Sequence, residues 1–344
     1  MDPLTHATLG IAVALAVAPR GASLPSIALA GFAAGTLPDI DIFLHSETDP
    51  LFSLEYHRHF THSILFSPFI ALIGTALAWL ALLCFGKHSP YRPILFPAWL
   101  AALSHLFCDL WTSYGTRIAW PFNNVRYSLD WISVIDPLFT LPVLALTLIA
   151  LVKARPRPAR FALTYATIYL ALCFVQHERA THALESWLKT SGPGTADRLA
   201  VHPSFGNILV WRALVEKDRV AHNVAIRCGL GAPTILPGQS TPVFNHPDQA
   251  ITELKIDPTS PQARDVRRFF HFSNNWVAQL PNEPQTLGDL RYSALPDSLT
   301  PLWGMQILPP DTIPPIKWRE FNKIETRNWD RFRSLITGEA FPAK

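Results

Sequence analysis

The stretch EYHRHFTHSI, residues 55 to 64, places His57, Arg58, His59 and His62 directly before a long apolar run. Other metal-binding residue types recur along the same half of the chain. His6 lies in DPLTHATLG, Asp39 and Asp41 in GTLPDID, His105 and Asp109 in SHLFCD, and Asp136 in VIDPL. His105 and Asp109 are four apart, so on a helix both side chains project from one face and can bind one ion. Asp39 and Asp41 flank Ile40 after a proline, where an extended or turn backbone would point both carboxylates the same way. His57 and His62 are five apart, about 140° around a helix, and share a face only if a helix begins between them. Thr61 is the N-cap candidate there. Imidazole and carboxylate without thiolate suit zinc, manganese or iron, and not a four-cysteine structural zinc. The set exceeds what one tetrahedral ion requires. A two-metal site, which clamps the attacking and leaving oxygens of a phosphoester, is therefore expected.

Apolar helices must position these residues. The chain has 344 residues, of which 16% are charged, and the apolar ones concentrate before residue 177. Ile64 to Gly86 runs 23 residues without a charge, enough to cross a bilayer core of roughly 30 Å. Val134 to Val152, Phe161 to Val175, Leu4 to Ala18, Leu24 to Leu37 and Ile94 to Trp111 read as five further helices. The expected fold is an all-α polytopic membrane domain of about six helices over 1–180, followed by a small α+β soluble domain over 181–344. The competing fold is a large soluble bundle of helices buried all round.

Charge asymmetry favours the membrane. One set of connections carries Arg20, Lys87, Arg92, Lys153, Arg155, Arg157 and Arg160; the opposite set carries only Arg58, Arg117 and Arg126. The positive-inside rule places the first set in the cytoplasm. The N-terminus, the 38–63 and 112–133 loops and everything after residue 177 then lie outside, and the metal-ligand types converge on one membrane face. MDPLTHATLG lacks the basic start and cleavage site of a secretory signal. The net charge of +3 and scattered basic residues exclude nucleic acid as an evident partner. Cys84, Cys108, Cys173 and Cys228 show no zinc-knuckle or disulfide spacing.

DPLTHATLG, GTLPDID, HRHFTHSIL and LSHLFCDLWTSYGTR, in this order, resemble the YdjM-type bacterial inner-membrane metal-dependent hydrolases, and DWISVIDPLFT resembles the segment before their next helix. The resemblance covers roughly residues 1 to 180. It implies a divalent metal held by His6, Asp39, Asp41, His57, His62, His105 and Asp109. Where that family carries glycine after HR, this chain has His59. The histidine and aspartate pattern is also distantly similar to zinc-dependent phospholipase C, which suggests phosphodiester chemistry.

The expected function is that of a membrane-bound hydrolase. One or two divalent ions, zinc or manganese, activate water against a phosphoester or ester of a lipid or lipid-linked substrate at the bilayer surface. Arg58, His59 and Asp136 are the candidate catalytic residues: Arg58 to neutralise a phosphate, His59 to assist, and Asp136 or a bridging carboxylate as base. The alternative is a non-catalytic protein whose metal staples helix ends. A transporter fits poorly, because the ionisable residues sit at helix ends and not at mid-bilayer.

Past the last span, His177, Glu178 and His182 form HExxxH, not HExxH, and read as a polar helix end. NILVWRALVEKD and RVAHNVAIRCG read as paired strands, RYSALP and LWGMQIL as further strands, and QARDVRRFFHFSNNW and NWDRFRSLI as amphipathic helices. Trp211, Trp276, Trp303, Trp318 and Trp329 are core candidates.

Overall fold

The structure is a computed structural model that describes residues 1–86, 90–321 and 326–341. Lys87, used in the charge comparison, lies outside the described residues. The chain divides into two compact units, the first made of Met1–Leu44, Tyr56–Phe174 and Phe205–Asn207.

Proline starts the helices of the first unit. It stands in the opening turn of α1 (Pro3–Ala16), α2 (Leu24–Thr36), α4 (Ser67–Cys84), α5 (Arg92–Leu110) and α6 (Pro137–Val152), where its missing N–H costs nothing. The short α3 (Phe52–Tyr56) precedes α4. α1, α2, α4 and α5 pack together, and α6 packs on α1. Small residues set the closest approach: a Cβ on Gly10 would lie 2.6 Å from the Gly31 carbonyl oxygen, and one on Gly35 would lie 3.1 Å from the His6 oxygen. That proximity brings the His6 turn of α1 onto the end of α2.

The outward faces are apolar. Leu72, Ile73, Leu77 and Leu80 of α4 are 42% to 52% exposed, a surface suited to lipid. Leu24–Phe43, Ile64–Cys84, Arg92–Leu110 and Pro156–Thr190 are long and apolar enough to cross a membrane; Pro3–Ala16 and Pro137–Val152 are apolar but shorter. Among the described residues four candidate spans thus stand where the sequence suggests about six.

The last of these, α7 (Pro156–Thr190), is one helix of 35 residues. It carries the HExxxH residues as helix surface, with His177 Nδ1 3.2 Å from Glu178 and His182 beside Glu185.

The second unit comprises His45–Glu55, Val175–Ser204 and Ile208–Lys344. Its first antiparallel sheet joins β1 (Arg198–Pro203), β2 (Val210–Lys217), β3 (Val220–Arg227) and β4 (Thr234–Pro242) in chain order. Asp218 and Arg219 both have positive φ, 49° and 65°, so the expected β2–β3 pair closes through a turn whose twist matches its strands. One face of this sheet, with Trp211, Ala213, Val215, Val224 and Ile226, packs on Ala180, Leu184 and Leu188 of α7.

A second antiparallel sheet joins β5 (Val277–Leu280), β6 (Glu283–Asp289), β7 (Trp303–Ile307) and β8 (Ile316–Glu320). α8 (Pro247–Glu253), α9 (Pro261–Phe272) and α10 (Thr326–Thr337) complete the unit. The amphipathic helices are where the sequence suggests, and LWGMQIL contains β7. RYSALP is not a strand. The Arg212 guanidinium donates to the carbonyls of Leu290 (3.0 Å), Leu295 (3.4 Å), Pro296 (3.3 Å) and Ser298, so the segment curves around a buried cation and does not run straight as a strand. Trp211 and Trp276 are buried, whereas Trp329 is 50% exposed.

Residues 45–55, read from the sequence as part of a membrane-face loop, are built into this second unit. Leu51 is 1% exposed among Val266, Phe269, Phe270 and Leu287. Arg268 binds both Asp49 oxygens at 2.9 Å and Glu55 at 2.9 Å. Partial burial raises the proton affinity of Asp49, but the hydrogen bonds and charge of Arg268 outweigh it and hold that carboxyl below its usual range.

Candidate metal centre

All seven expected ligands come together at one end of the helices of the first unit. His6 lies in the first turns of α1, and His105 and Asp109 in the last two turns of α5. α2 continues into a 3-10 helix, Leu37–Phe43, that carries Asp39 and Asp41. That backbone is neither extended nor a simple turn, yet an oxygen of each carboxylate lies within 4.8 Å of the other and of a His57 nitrogen. Both also border His62: Asp41 Oδ2 is 3.2 Å from Nδ1, and Asp39 Oδ1 is 3.4 Å from Nε2.

His57 follows α3, and His62 ends a single 3-10 turn, Phe60–His62. No α-helix starts between them, and α4 begins only at Ser67. Thr61 is therefore not its N-cap; its hydroxyl donates to Asp41 Oδ2 at 2.6 Å. The same oxygen accepts the Arg58 backbone N–H at 3.1 Å, made possible by a φ of +59° at Arg58. Asp41 Oδ1 lies 2.8 Å from His57 Nδ1.

Asp109 is the hub of the deeper half. Its oxygens lie 3.1 Å from His6 Nε2, 3.1 Å from His62 Nε2, 3.6 Å from His105 Nε2 and 2.9 Å from an Arg58 nitrogen. The Met1 main-chain nitrogen also rests against it. His6 and His105 stack at 3.6 Å between ring centres. His105 Nδ1 is 2.7 Å from the Gly35 carbonyl. An N–H there fixes the tautomer and leaves the Nε2 lone pair facing inward, the arrangement that metal-ligating histidines adopt.

Two groups have ligand atoms close enough to share an ion: His6, Asp39, His105 and Asp109, and separately Asp39, Asp41 and His57. Asp39 belongs to both, and His62 lies between them. The donor set fits a divalent cation. Buried Asp109 Oδ2 faces His62 Nε2 at 3.1 Å and His105 Nε2 at 3.6 Å, and a carboxylate oxygen facing imidazole nitrogens is a donor set that zinc and manganese take. His62 shows the cluster's pull on positive charge. Burial disfavours its protonation, yet the bonds and charges of Asp109, Asp39 and Asp41 raise it to about 10.

The three expected catalytic residues part company. Arg58, 3% exposed, reaches into the cluster and also donates to the Thr112 hydroxyl at 2.9 Å. His59 instead packs among aromatic rings, 5.5 Å from Tyr56 and 5.1 Å from Trp120. Asp136 caps α6 through the N–H groups of Leu138 and Phe139 and accepts the Tyr169 hydroxyl at 2.8 Å. Sequence reading passes over Thr61 and Gly35 as partners of the ligands. The only available signal was their nearness to ligand positions.

Apolar helices long enough to span a bilayer, with a buried His/Asp cluster at their ends, define a membrane protein with a possible metal-binding centre. The chain belongs to the YdjM inner membrane protein family, whose profile matches residues 1–180. It is similar to the "Uncharacterized protein YfhP" of Bacillus subtilis (strain 168), with 29% identity over 178 residues, 50% of this chain and 51% of that one. The chain thus spans about half the length of the curated relative it matches. No solved structure matches.

Proposed function

We propose that this protein is a membrane-bound, metal-dependent hydrolase acting on a phosphoester or ester of a lipid or lipid-linked substrate at the bilayer surface. The observation that carries the reading is the convergence of seven His and Asp side chains that remains open at one edge. Side-chain exposure is 21% at Asp39 and 22% at His57, against 0% at Asp41 and Asp109. A purely structural metal would be expected in a closed shell, whereas catalysis needs an accessible position.

One or two divalent ions, zinc or manganese, would lower the pKa of a water and polarise the ester oxygen. His6, Asp39, His105 and Asp109 hold the deeper position; Asp39, Asp41, His57 and His62 hold the outer one. Asp41 is oriented by Thr61 and the Arg58 N–H, so it serves as a fixed ligand. Asp39, shared by both groups and partly solvent-exposed, is the carboxylate that takes the proton from the attacking water. Arg58 offsets negative charge at the centre. A lipid substrate is supported by the apolar residues on the Asp39 turn, where Ile40 is 53%, Ile42 61% and Phe43 75% exposed.

Residues 1–180 form the membrane domain on this reading, with six spans if Pro3–Ala16 and Pro137–Val152 also cross. Residues 181–344 form the extramembrane domain on the outer side of the bacterial inner membrane. A reporter fused after the last residue of the full chain is expected to be active only outside the cytoplasm; cytoplasmic activity would reverse the orientation.

The hydrolase reading is tested with purified full-length protein, loaded with zinc or manganese, on vesicles containing phosphodiester or carboxyl-ester lipids. Turnover should appear, vanish with chelator and return with metal. Tight metal binding without turnover on either class would leave the metal a structural staple.

A further inference from the structure

Leu230 is the most exposed large apolar side chain among the described residues, with its whole surface open. A single leucine in water is ordinary on a soluble surface. This one is held outward. It lies between Gly229 and Gly231 in the connection from β3 to β4, where two glycines would leave a loop free to fold its leucine down. The Arg179 guanidinium of α7 ties both glycine carbonyls, donating to Gly229 at 2.9 Å and to Gly231 at 2.5 Å. At the root of the loop, Gln176 Nε2 donates to the Cys228 carbonyl at 2.8 Å, and Cys228 donates its N–H to the Leu209 carbonyl at 2.7 Å. Arg179 also donates to Gln176 Oε1 at 2.6 Å. A planar fork on a helix thus fixes the loop from both sides of its leucine.

The clamp stands at a particular place on α7. Phe161 to Val175 carries no charge, and Leu172, Phe174 and Val175 are 43% to 49% exposed, as on a stretch that faces lipid. Arg179 comes four residues after Val175, about 6 Å along a helix axis. A bilayer core of about 30 Å becomes about 40 to 45 Å with its headgroups, so each interfacial layer is roughly 5 to 8 Å deep. With α7 leaving the hydrocarbon after Val175, the loop is bonded to the turn of helix that crosses the headgroups.

The base of the loop is cationic. A Cβ on Gly229 would fall 3.0 Å from a terminal nitrogen of Arg227, which therefore lies beside the Arg179 clamp. Arg227 Nε donates to the Ile336 carbonyl at 2.9 Å, and Arg179 donates to neutral oxygens only. Neither pairs with a carboxylate among the described residues. An apolar tip above cations that lack an anion is the chemistry of an interfacial membrane anchor, and anionic headgroups supply the missing charge.

We propose that the Leu230 loop, on its base of Arg179 and Arg227, inserts into the interfacial layer of the membrane that α7 crosses, with anionic phospholipid as its partner. The proposal is independent of the hydrolase reading and rests on α7 as a membrane span.

The test is site-directed fluorescence on the full-length protein in vesicles of phosphatidylcholine and phosphatidylglycerol. A Cys84→Ser background removes the exposed thiol and leaves three buried ones. Leu230→Cys and, separately, Ile168→Cys are labelled there with an environment-sensitive dye. Ile168 is 56% exposed within the apolar stretch of α7 and reports whether that stretch meets lipid. Emission from position 230 should lie to the blue of the dye in water, be quenched by lipid spin-labelled near the headgroup, and resist aqueous cobalt. Arg179→Ala, shown by circular dichroism to be folded, should release the loop and lose that protection. The blue shift should shrink in phosphatidylcholine alone; a shift of equal size there overturns the anionic partner. Lipid quenching at 168 with only aqueous quenching at 230 overturns the proposal and leaves the tip exposed to water. Aqueous quenching at both positions overturns the reading of α7 as a span as well.

Discussion

Asp109→Ala should leave the purified protein without bound metal, and His105→Ala should do the same. Asp109 is fully buried and faces three imidazoles and Arg58, so its removal deletes the shared acceptor of the deeper position. His105 presents Nε2 inward because its other nitrogen is engaged by the Gly35 carbonyl. Loss of an outer partner of a metal ligand alone costs about 10- to 100-fold in affinity, and loss of a ligand should cost on the order of 100-fold or more. Mass spectrometry of protein purified mildly in metal-supplemented buffer provides the check. Wild type should carry about one or two equivalents of zinc or manganese, as one- or two-metal sites do. Circular dichroism should show the variants still helical, which separates ligand loss from unfolding. A wild type that carries none would make the cluster a polar helix-end network.

Arg212→Met should destabilise the second unit by about 3 to 5 kcal/mol, because several carbonyl oxygens lose a charged donor and each such hydrogen bond contributes roughly 1.5 to 3 kcal/mol before the neighbours relax. The side chain is 3% exposed and binds carbonyls at four points between Leu290 and Ser298. Methionine retains much of the stem and none of the donors. Asp289 and Asp297 would keep their own partners, Arg291 and Arg331, so the loss falls on the carbonyls. For a unit of this size the shift in melting temperature is roughly 10 °C. Lysine at the same position should recover little, because one ammonium cannot span the same arc of oxygens. The measurement is thermal unfolding followed by near-UV circular dichroism. An unchanged midpoint in Arg212→Met would show that the 290–298 segment holds its shape by other means.

The candidate site was largely legible in the sequence, and its geometry was not. Local rules place His105 and Asp109 on one face of α5, because a four-residue spacing on a helix has one outcome. The proline-led starts of the helices and the β2–β3 pairing are equally local. The arrangement of Asp39 and Asp41 is different. How two carboxylates two residues apart are set depends on whether the chain extends or winds there. Winding was decided by α2 continuing into a 3-10 helix against His57 and His62. Thr61 looked like a cap because it precedes an apolar run, but Asp41 competes for its hydroxyl from 20 residues away.

The same distinction holds across the molecule. By itself the sequence determined which residue types are available to bind a cation, which segments are apolar enough for lipid and which strands pair through a tight turn. These follow from composition and short-range periodicity. Tertiary structure alone decided that Asp136 caps a helix, that His59 packs among tilted aromatic rings, and that residues 45–55 join the second unit through Leu51 and Arg268. Each depends on a partner distant in the chain. A side chain's role there is set by which buried group most needs its charge or hydrogen bond once the backbone has folded, and no local spacing encodes that competition.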